Sequence, residues 1–340
     1  MKAAVVEGPN RLVVKDIPEP EMGPYQARCE ILYGAMCSGT DTHIVECDFP
    51  WLSPRPTVLG HESIARVVET GEKVRNLQAG DLVTRVGTVP VGPYSVTWGG
   101  FAEIGIATDH LACQADGVPA EQWAGARVQR VLPAGVDPAA ATMVITWRET
   151  CSYANRIGIG GARRVLVIGS GGNGLSYVAH AAGAGCEQVA MIGSAGREPS
   201  ARRAGATDYF AYDSPDARDQ AAAACADGFD VVIDAVGKAA LADVGLSLLA
   251  PGGTIGIYGI DDFGKVRVNP DAARGSFTVY QGGYDEPETH EQVVERFVAG
   301  TLDASIWLDL DNPFDLDDIS DALEATRRRE VVKALIRIRG

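Results

Sequence analysis

The stretch Arg164-Val165-Leu166-Val167-Ile168-Gly169-Ser170-Gly171-Gly172-Asn173-Gly174 decides how this chain is read. An apolar run ends in the spacing G-x-G-x-x-G. A small-residue apolar segment at helical spacing, Gly174–Gly183, follows it. Strand before and helix after are what this spacing needs in order to bind a dinucleotide. Gly169 permits the tight turn, Gly171 lets the backbone approach a pyrophosphate, and Gly174 lets the helix pack close to the strand. The helix N-terminus presents N–H groups and the positive end of its dipole to phosphate. A glycine-rich loop without function is the competing reading, and the flanking elements argue against it. Gly169, Gly171, Gly172, Asn173 and Gly174 are therefore the expected dinucleotide cradle.

Downstream, apolar runs and helical segments alternate. Gln188–Ile192, Asp208–Tyr212, Val231–Ala235 and Thr254–Tyr258 read as strands, and Arg197–Ala204 and Asp216–Ala226 as helices. That alternation predicts βαβ units and a parallel sheet. The second strand decides the cofactor. A carboxylate at its end would accept from the ribose hydroxyls of NAD. Here the strand runs into Gly193-Ser194-Ala195-Gly196-Arg197. Gly193 and Ser194 leave room for a 2′-phosphate, and Arg197, Arg202 or Arg203 can pair with it. NADP is favoured over NAD, against the alternative that these arginines simply face solvent.

Upstream, the first ~110 residues read as short strands broken by Gly and Pro, which predicts a β-rich, barrel-like domain. Lys2–Val6, Leu12–Lys15, Ala27–Tyr33 and Ser63–Thr70 are its clearest strands, and Ala139–Arg156 reads as a helix. After residue 285 come the helices His290–Ala299 and Asp318–Arg327 and the strand Lys333–Arg337.

The 340 residues suit about two domains. Hydrophobic residues make up 46% and charged residues 22%, as in ordinary globular proteins. A formal charge of −15 opposes nucleic-acid and anionic-membrane binding. No apolar run is long enough to cross a membrane, and the first residues do not read as a signal peptide. Seven scattered cysteines without a CxxC pair fit a reducing cytoplasm.

Several motifs in order now carry a resemblance. They are Gly39-Thr40-Asp41-Thr42-His43, Leu59-Gly60-His61-Glu62, Ala79-Gly80-Asp81, Gly99-Gly100-Phe101-Ala102-Glu103, Gly169–Gly174, Asp230–Gly237, Pro251-Gly252-Gly253 and Lys333–Ile338. Over essentially its whole length the chain resembles the medium-chain dehydrogenases, the zinc alcohol and polyol dehydrogenase group. The implied fold class is α/β: a GroES-like β-rich catalytic domain over 1–145, a Rossmann doubly wound parallel sheet over 146–284, and a segment 285–340 completing the first domain.

The resemblance also implies a site. A catalytic zinc would take Cys37, His61 and, as further ligands, Glu62 or Glu149. The family carries Cys-x-Thr/Ser-Asp, whereas Cys37-Ser38-Gly39-Thr40-Asp41 is one residue longer, so an alignment on Thr40-Asp41 puts Ser38 at the ligand position. The third family ligand falls on Val144, which cannot ligate. Thr40 would hydrogen-bond the substrate oxygen, His43 would pass the proton to solvent, and Asp41 would orient a ligand. The family's structural zinc needs four cysteines, and Thr84–Phe101 holds none, so that site is expected to be absent.

The leading expectation is an oxidoreductase that interconverts a secondary alcohol of polyol, sugar or cyclitol type and its ketone. A zinc-free reductase of an activated double bond, quinone or carbonyl is the alternative, with a non-catalytic dinucleotide-binding sensor third. A small-molecule substrate and a homodimer or homotetramer are expected. The resemblance implies that Phe277–Tyr280 is an edge strand through which two copies would pair. Trp51 and Trp98 are candidates for the substrate region, with plain packing as the equal alternative.

Overall fold

The computed structural model describes residues 1–49 and 53–339, so Trp51 lies outside the described residues. The chain divides into two compact units, one of Met1–Ile145 with Trp307–Gly340, the other of Thr146–Ile306.

The first unit is built from two sheets. Its larger sheet runs Phe314–Asp315, Ala334–Arg337, Gln26–Met36, Ser63–Thr70, Leu82–Thr84, with Ile104–Thr108 also paired to Gln26–Met36. The smaller runs Arg11–Asp16, Lys2–Gly8, Thr57–Val58, Ser95–Val96. Residues alternate between buried and half-buried along most of Gln26–Met36, the period-2 pattern of a strand with one face on a core. Ala334 pairs antiparallel with Met36 and Arg337 with Tyr33, so the last strand joins the sheet built on Gln26–Met36. Two short elements carry the site side chains: the helix Thr40–Glu46, directly after Gln26–Met36, and the turn before Ser63–Thr70.

The second unit holds a six-stranded sheet, parallel throughout. Its order is Asp208–Ala211, Gln188–Gly193, Arg164–Ile168, Phe229–Asp234, Leu249–Ile257, Thr278–Tyr280. Sequence order reverses between Arg164–Ile168 and Phe229–Asp234. In open α/β sheets ligands bind at such a reversal, beyond the carboxyl ends of the strands. Val165–Ile168 is buried on both faces, as a central parallel strand must be.

The second unit extends further than the sequence suggested. Its expected end at 284 moves to Ile306. The cause is a set of side-chain pairings between helix Met143–Ile157 and the segment after 285. Arg148 donates to Glu286 at 2.8 Å with both side chains buried. Arg156 makes a two-pronged pair with Glu288, at 2.8 Å for each bond. Trp147 packs against Phe297, ring centroids 5.7 Å apart. Helix His290–Val298 therefore belongs with the parallel sheet, and only Trp307 onward returns to the first unit.

Candidate functional site

The glycine turn connects Arg164–Ile168 to the helix Gly172–Gly183. Gly169 has φ +107°, a left-handed backbone that side-chain-bearing residues rarely adopt. A Cβ on Gly174 would stand 1.8 Å from the Gly169 carbonyl oxygen, so only glycine lets this helix start so close to the strand. Gly171 is the N-cap residue, and no side chain caps the helix, whose positive dipole end favours an anion. Asn173 is half-buried in the first turn. Across the reversal, Asp234 ends its strand and accepts from the amides of Val236 and Gly237, both at 2.9 Å. Its other oxygen, Oδ2, is buried without a hydrogen-bond partner, and burial raises its pKa.

The second strand ends in Gly193, and the space a side chain would need is taken. A Cβ there would meet the Ser170 side chain and the Tyr209 hydroxyl at 2.5 Å. Ser194 N donates to Ser170 Oγ at 2.9 Å, and Tyr209 Oη donates to the Ser194 carbonyl. Ser194 is thus locked at the strand end beside the glycine turn. Arg202 binds Glu198 and the Thr207 carbonyl, and Arg203 binds Asp303 and Ser305. Arg197, half-buried, follows Ser194 by three residues in a short 3-10 turn.

In the first unit the sulfur of Cys37, a ring nitrogen of His61 and a carboxylate oxygen of Glu62 lie within 4.8 Å of one another, all buried. The extra residue of Cys37-Ser38-Gly39-Thr40-Asp41 is absorbed in the turn before the helix. Asp41 N still reaches the Cys37 carbonyl at 3.2 Å, and Ser38 points to solvent. Cys37, and not Ser38, is therefore the residue beside His61. Asp41 is wholly buried and ties the group together. Its Oδ2 accepts from Cys37 N at 2.8 Å and its Oδ1 lies 3.2 Å from His61 Nδ1. That contact leaves Nε2 on the Glu62 side, 3.6 Å from Oε1. Burial lowers the His61 pKa, but Asp41 and Cys37 together hold it well above the usual histidine range.

Glu62 has a partner the sequence did not announce. Lys333 Nζ donates to both carboxylate oxygens, and the lysine is 2% exposed. The two residues are 271 positions apart, so no local pattern links them. Val144 is fully buried, as an apolar residue at that position should be. Glu149 is buried on the second unit's part of helix Met143–Ile157, where its charge raises the Tyr177 pKa after the larger effects of burial and neighbouring tyrosines. It does not join the Cys37–His61–Glu62 group.

Thr40 and His43 share one face of the helix Thr40–Glu46, being three residues apart, while Asp41 faces the core. His43 is partly exposed, and its Nδ1 lies 2.8 Å from Asp48 Oδ1. Trp98 stands over His61 with ring centroids 5.2 Å apart. Its φ of +64° is costly for a bulky side chain, by about 1–2 kcal/mol. Its backbone is held from both sides. Thr97 N donates to Val58 O and Thr88 N to Gly99 O, at 2.9 and 3.0 Å.

Comparison with known proteins follows this geometry. Residues 23–119 match the family described as alcohol dehydrogenase GroES-like domain, and residues 172–298 the one described as zinc-binding dehydrogenase. The sorbitol dehydrogenase of Halalkalibacterium halodurans is 30% identical over 279 residues, 79% of this chain and 80% of that protein. The L-galactonate-5-dehydrogenase of Escherichia coli is 26% identical over 344 residues, 99% of this chain and 98% of that one. Among solved structures, the 2R,3R-butanediol dehydrogenase of Bacillus subtilis superposes with a TM-score of 0.81 at 19% identity, covering 99% of each chain. The chain belongs to the medium-chain, zinc-type alcohol dehydrogenase family. It is an oxidoreductase of the alcohol–ketone class.

Proposed function

We propose that this enzyme interconverts a secondary alcohol of polyol, sugar or cyclitol type and its ketone, with NADP as cofactor and one catalytic zinc. The observation that carries the reading is the buried group of Cys37, His61 and Glu62, backed by Asp41. A soft sulfur, an imidazole nitrogen and a carboxylate within a few ångströms are a fitting donor set for zinc. Asp41 on Nδ1 is the kind of partner that fixes a ligating histidine's tautomer and ring plane. Cys37, His61 and Glu62 would hold the metal, which when bound supplies a Lewis acid for the substrate oxygen. The names of the sorbitol and L-galactonate relatives support a polyhydroxylated substrate.

The glycine cradle fits the cofactor. Gly169 and Gly174 let strand, turn and helix approach closely, since a Cβ on either would strike Val236 or the Gly169 carbonyl, and the positive end of the helix would face the pyrophosphate. When bound, the nicotinamide accepts or gives the hydride. Gly193 excludes the carboxylate that selects NAD, and Ser194 with Arg197 receives the 2′-phosphate. Thr40 Oγ1 holds the substrate hydroxyl proton, and His43 passes it to solvent through Nε2, with Asp48 on Nδ1 favouring that tautomer.

One observation favours a second reading. Lys333 binds both oxygens of Glu62, and Val144 offers no ligand, which supports a zinc-free reductase of the same family. Metal analysis of the enzyme purified without added zinc separates the two. Close to one zinc per chain, with activity lost on chelation and restored by zinc, is expected. Less than ~0.2 zinc per chain with full activity contradicts the metal reading.

Among the described residues no helix is long and apolar enough to cross a membrane. The seven cysteines are all unpaired, which supports a cytoplasmic setting. Thr278–Tyr280 is the sheet's edge, with Val279 41% exposed, and supports a homodimer that pairs two such edges. Sedimentation of the wild type against Val279→Pro tests that assembly.

A further inference from the structure

We propose that Trp98 is the specificity-determining residue of this enzyme, a platform on which the carbon skeleton of a polyhydroxylated substrate rests. The proposal deepens the dehydrogenase reading given above and depends on it for the position of the substrate oxygen. Four observations, all within the first unit, carry it.

First, Trp98 is 42% exposed although its ring lies 5.2 Å from that of buried His61. An oxygen held at the Cys37–His61–Glu62 group therefore has its neighbouring carbons within reach of the indole. Second, the ring is fixed from below. Phe49 meets it edge-on at 6.1 Å, and Phe49 is itself buried.

Third, the backbone is built around this residue. Trp98 keeps a left-handed φ of +64°. Gly87 makes room for it, since a Cβ there would stand 1.8 Å from the Trp98 carbonyl oxygen. Gly100 N donates to Gly60 O at 2.6 Å and Phe101 N to Leu59 O at 2.9 Å, so the same strand end that carries His61 carries this loop. Strained residues persist where the surrounding structure over-determines them, and they gather at functional sites. Fourth, the Arg85 guanidinium carbon lies over the indole ring, 5.8 Å from its centroid. The cation packs on the ring and helps to hold it in place.

That combination has a chemical preference. The indole takes C–H bonds on its ring surface, and its own N–H donates to a hydroxyl oxygen at the edge of the same chain. A polyol presents both groups at once. A short alkyl alcohol has one hydroxyl and is too small to cover the ring.

The test compares wild type, Trp98→Phe and Trp98→Ala, with kcat/KM for sorbitol, myo-inositol and 2-butanol. Binding of the same compounds to the enzyme with NADP is measured by calorimetry in parallel. The expected result is a loss of about tenfold or more in kcat/KM and affinity for the better polyol in Trp98→Ala, carried mainly by KM. The 2-butanol value should move less than threefold, and Trp98→Phe should restore most of the loss. Thermal midpoint and NADP affinity should stay at wild-type values. Equal losses on all three compounds, or none on the polyols, overturns the platform. A wild type that binds a polyol but oxidises none of the three contradicts the dehydrogenase reading. In that case weaker polyol binding by Trp98→Ala still supports the platform, and unchanged binding refutes it. A wild type that neither binds nor oxidises any of the three refutes both.

Discussion

Replacing Gly174 with alanine puts the dinucleotide turn under a defined load. The new Cβ would stand 1.8 Å from the Gly169 carbonyl oxygen, where real Cβ contacts stay beyond 3.0 Å. Helix and turn must separate by more than an ångström. Neither side yields easily. Gly169 N is tied to the Ile192 carbonyl at 2.8 Å, and the helix is buried from Gly174 to Ala181. Overpacking of this kind costs about 1–3 kcal/mol of stability. The effect extends to the cofactor. Strain of this size, relieved at the expense of the dinucleotide contacts, amounts to about a 10- to 100-fold loss of affinity. Dinucleotide affinity, measured by calorimetry or by quenching of the reduced cofactor's fluorescence, should fall about 10- to 100-fold in Gly174→Ala. Gly196→Ala is the control, because a Cβ there meets nothing within 4 Å. It should bind within about twofold of wild type, well under 1 kcal/mol. If Gly174→Ala binds as tightly as wild type, or Gly196→Ala loses as much, the cofactor does not lie on this turn.

Three further outcomes follow from the geometry. Arg197→Ala should lower the preference for NADP over NAD by about tenfold or more, the worth of a charge-assisted hydrogen bond, while Arg203→Ala, already paired with Asp303, leaves the ratio unchanged; paired kcat/KM values decide it. Lys333→Met removes the buried cation that holds both Glu62 oxygens and leaves only His61, at 3.6 Å, and urea unfolding should show a loss of about 3–5 kcal/mol, with less than 1 kcal/mol refuting the buried pair. Burial and the neighbouring Arg296 push the pKa of His180 down to about 3, so the fold refuses a proton that the unfolded chain accepts. Stability is then whole above the unfolded pKa of 6.5 and falls as pH drops from there towards 3, by about 2 kcal/mol between pH 7 and pH 5. Unfolding free energies at the two pH values, compared with His180→Gln, should show that slope shrink by the same amount.

How far the sequence could be read depended on how local each feature was. The turn Gly169–Gly174 was legible because one short stretch holds strand, glycines and helix. The Ser63–Thr70 strand was legible because its turns flank it directly. Helix Ala239–Leu248 is not among the helices that the sequence pattern picks out. In the structure a Cβ at Gly245 would come 2.8 Å from Ile255 Cδ1, so glycine is there to seat the helix on the sheet. The extension of the second unit to Ile306 goes with pairings such as Arg148–Glu286, 138 positions apart, which no local pattern links. The site shows the same division. Asp41 and His61 carry recognisable motifs, but the grip of Lys333 on Glu62 exists only after the last strand has closed the first unit. The register around Cys37 was ambiguous on paper. It was resolved by a turn, Ser38-Gly39, that takes up the additional residue.

The central claim is that the turn at Gly169–Gly174 and the group at Cys37, His61 and Glu62 serve one reaction. The most direct measurement is cofactor reduction by the purified enzyme on secondary polyols, with NADP and NAD in parallel and with and without a chelator. The account predicts absorbance growth at the reduced-nicotinamide band, faster with NADP, abolished by the chelator and restored by zinc. No reduction of either dinucleotide by any secondary alcohol, in an enzyme that still binds them, would contradict it.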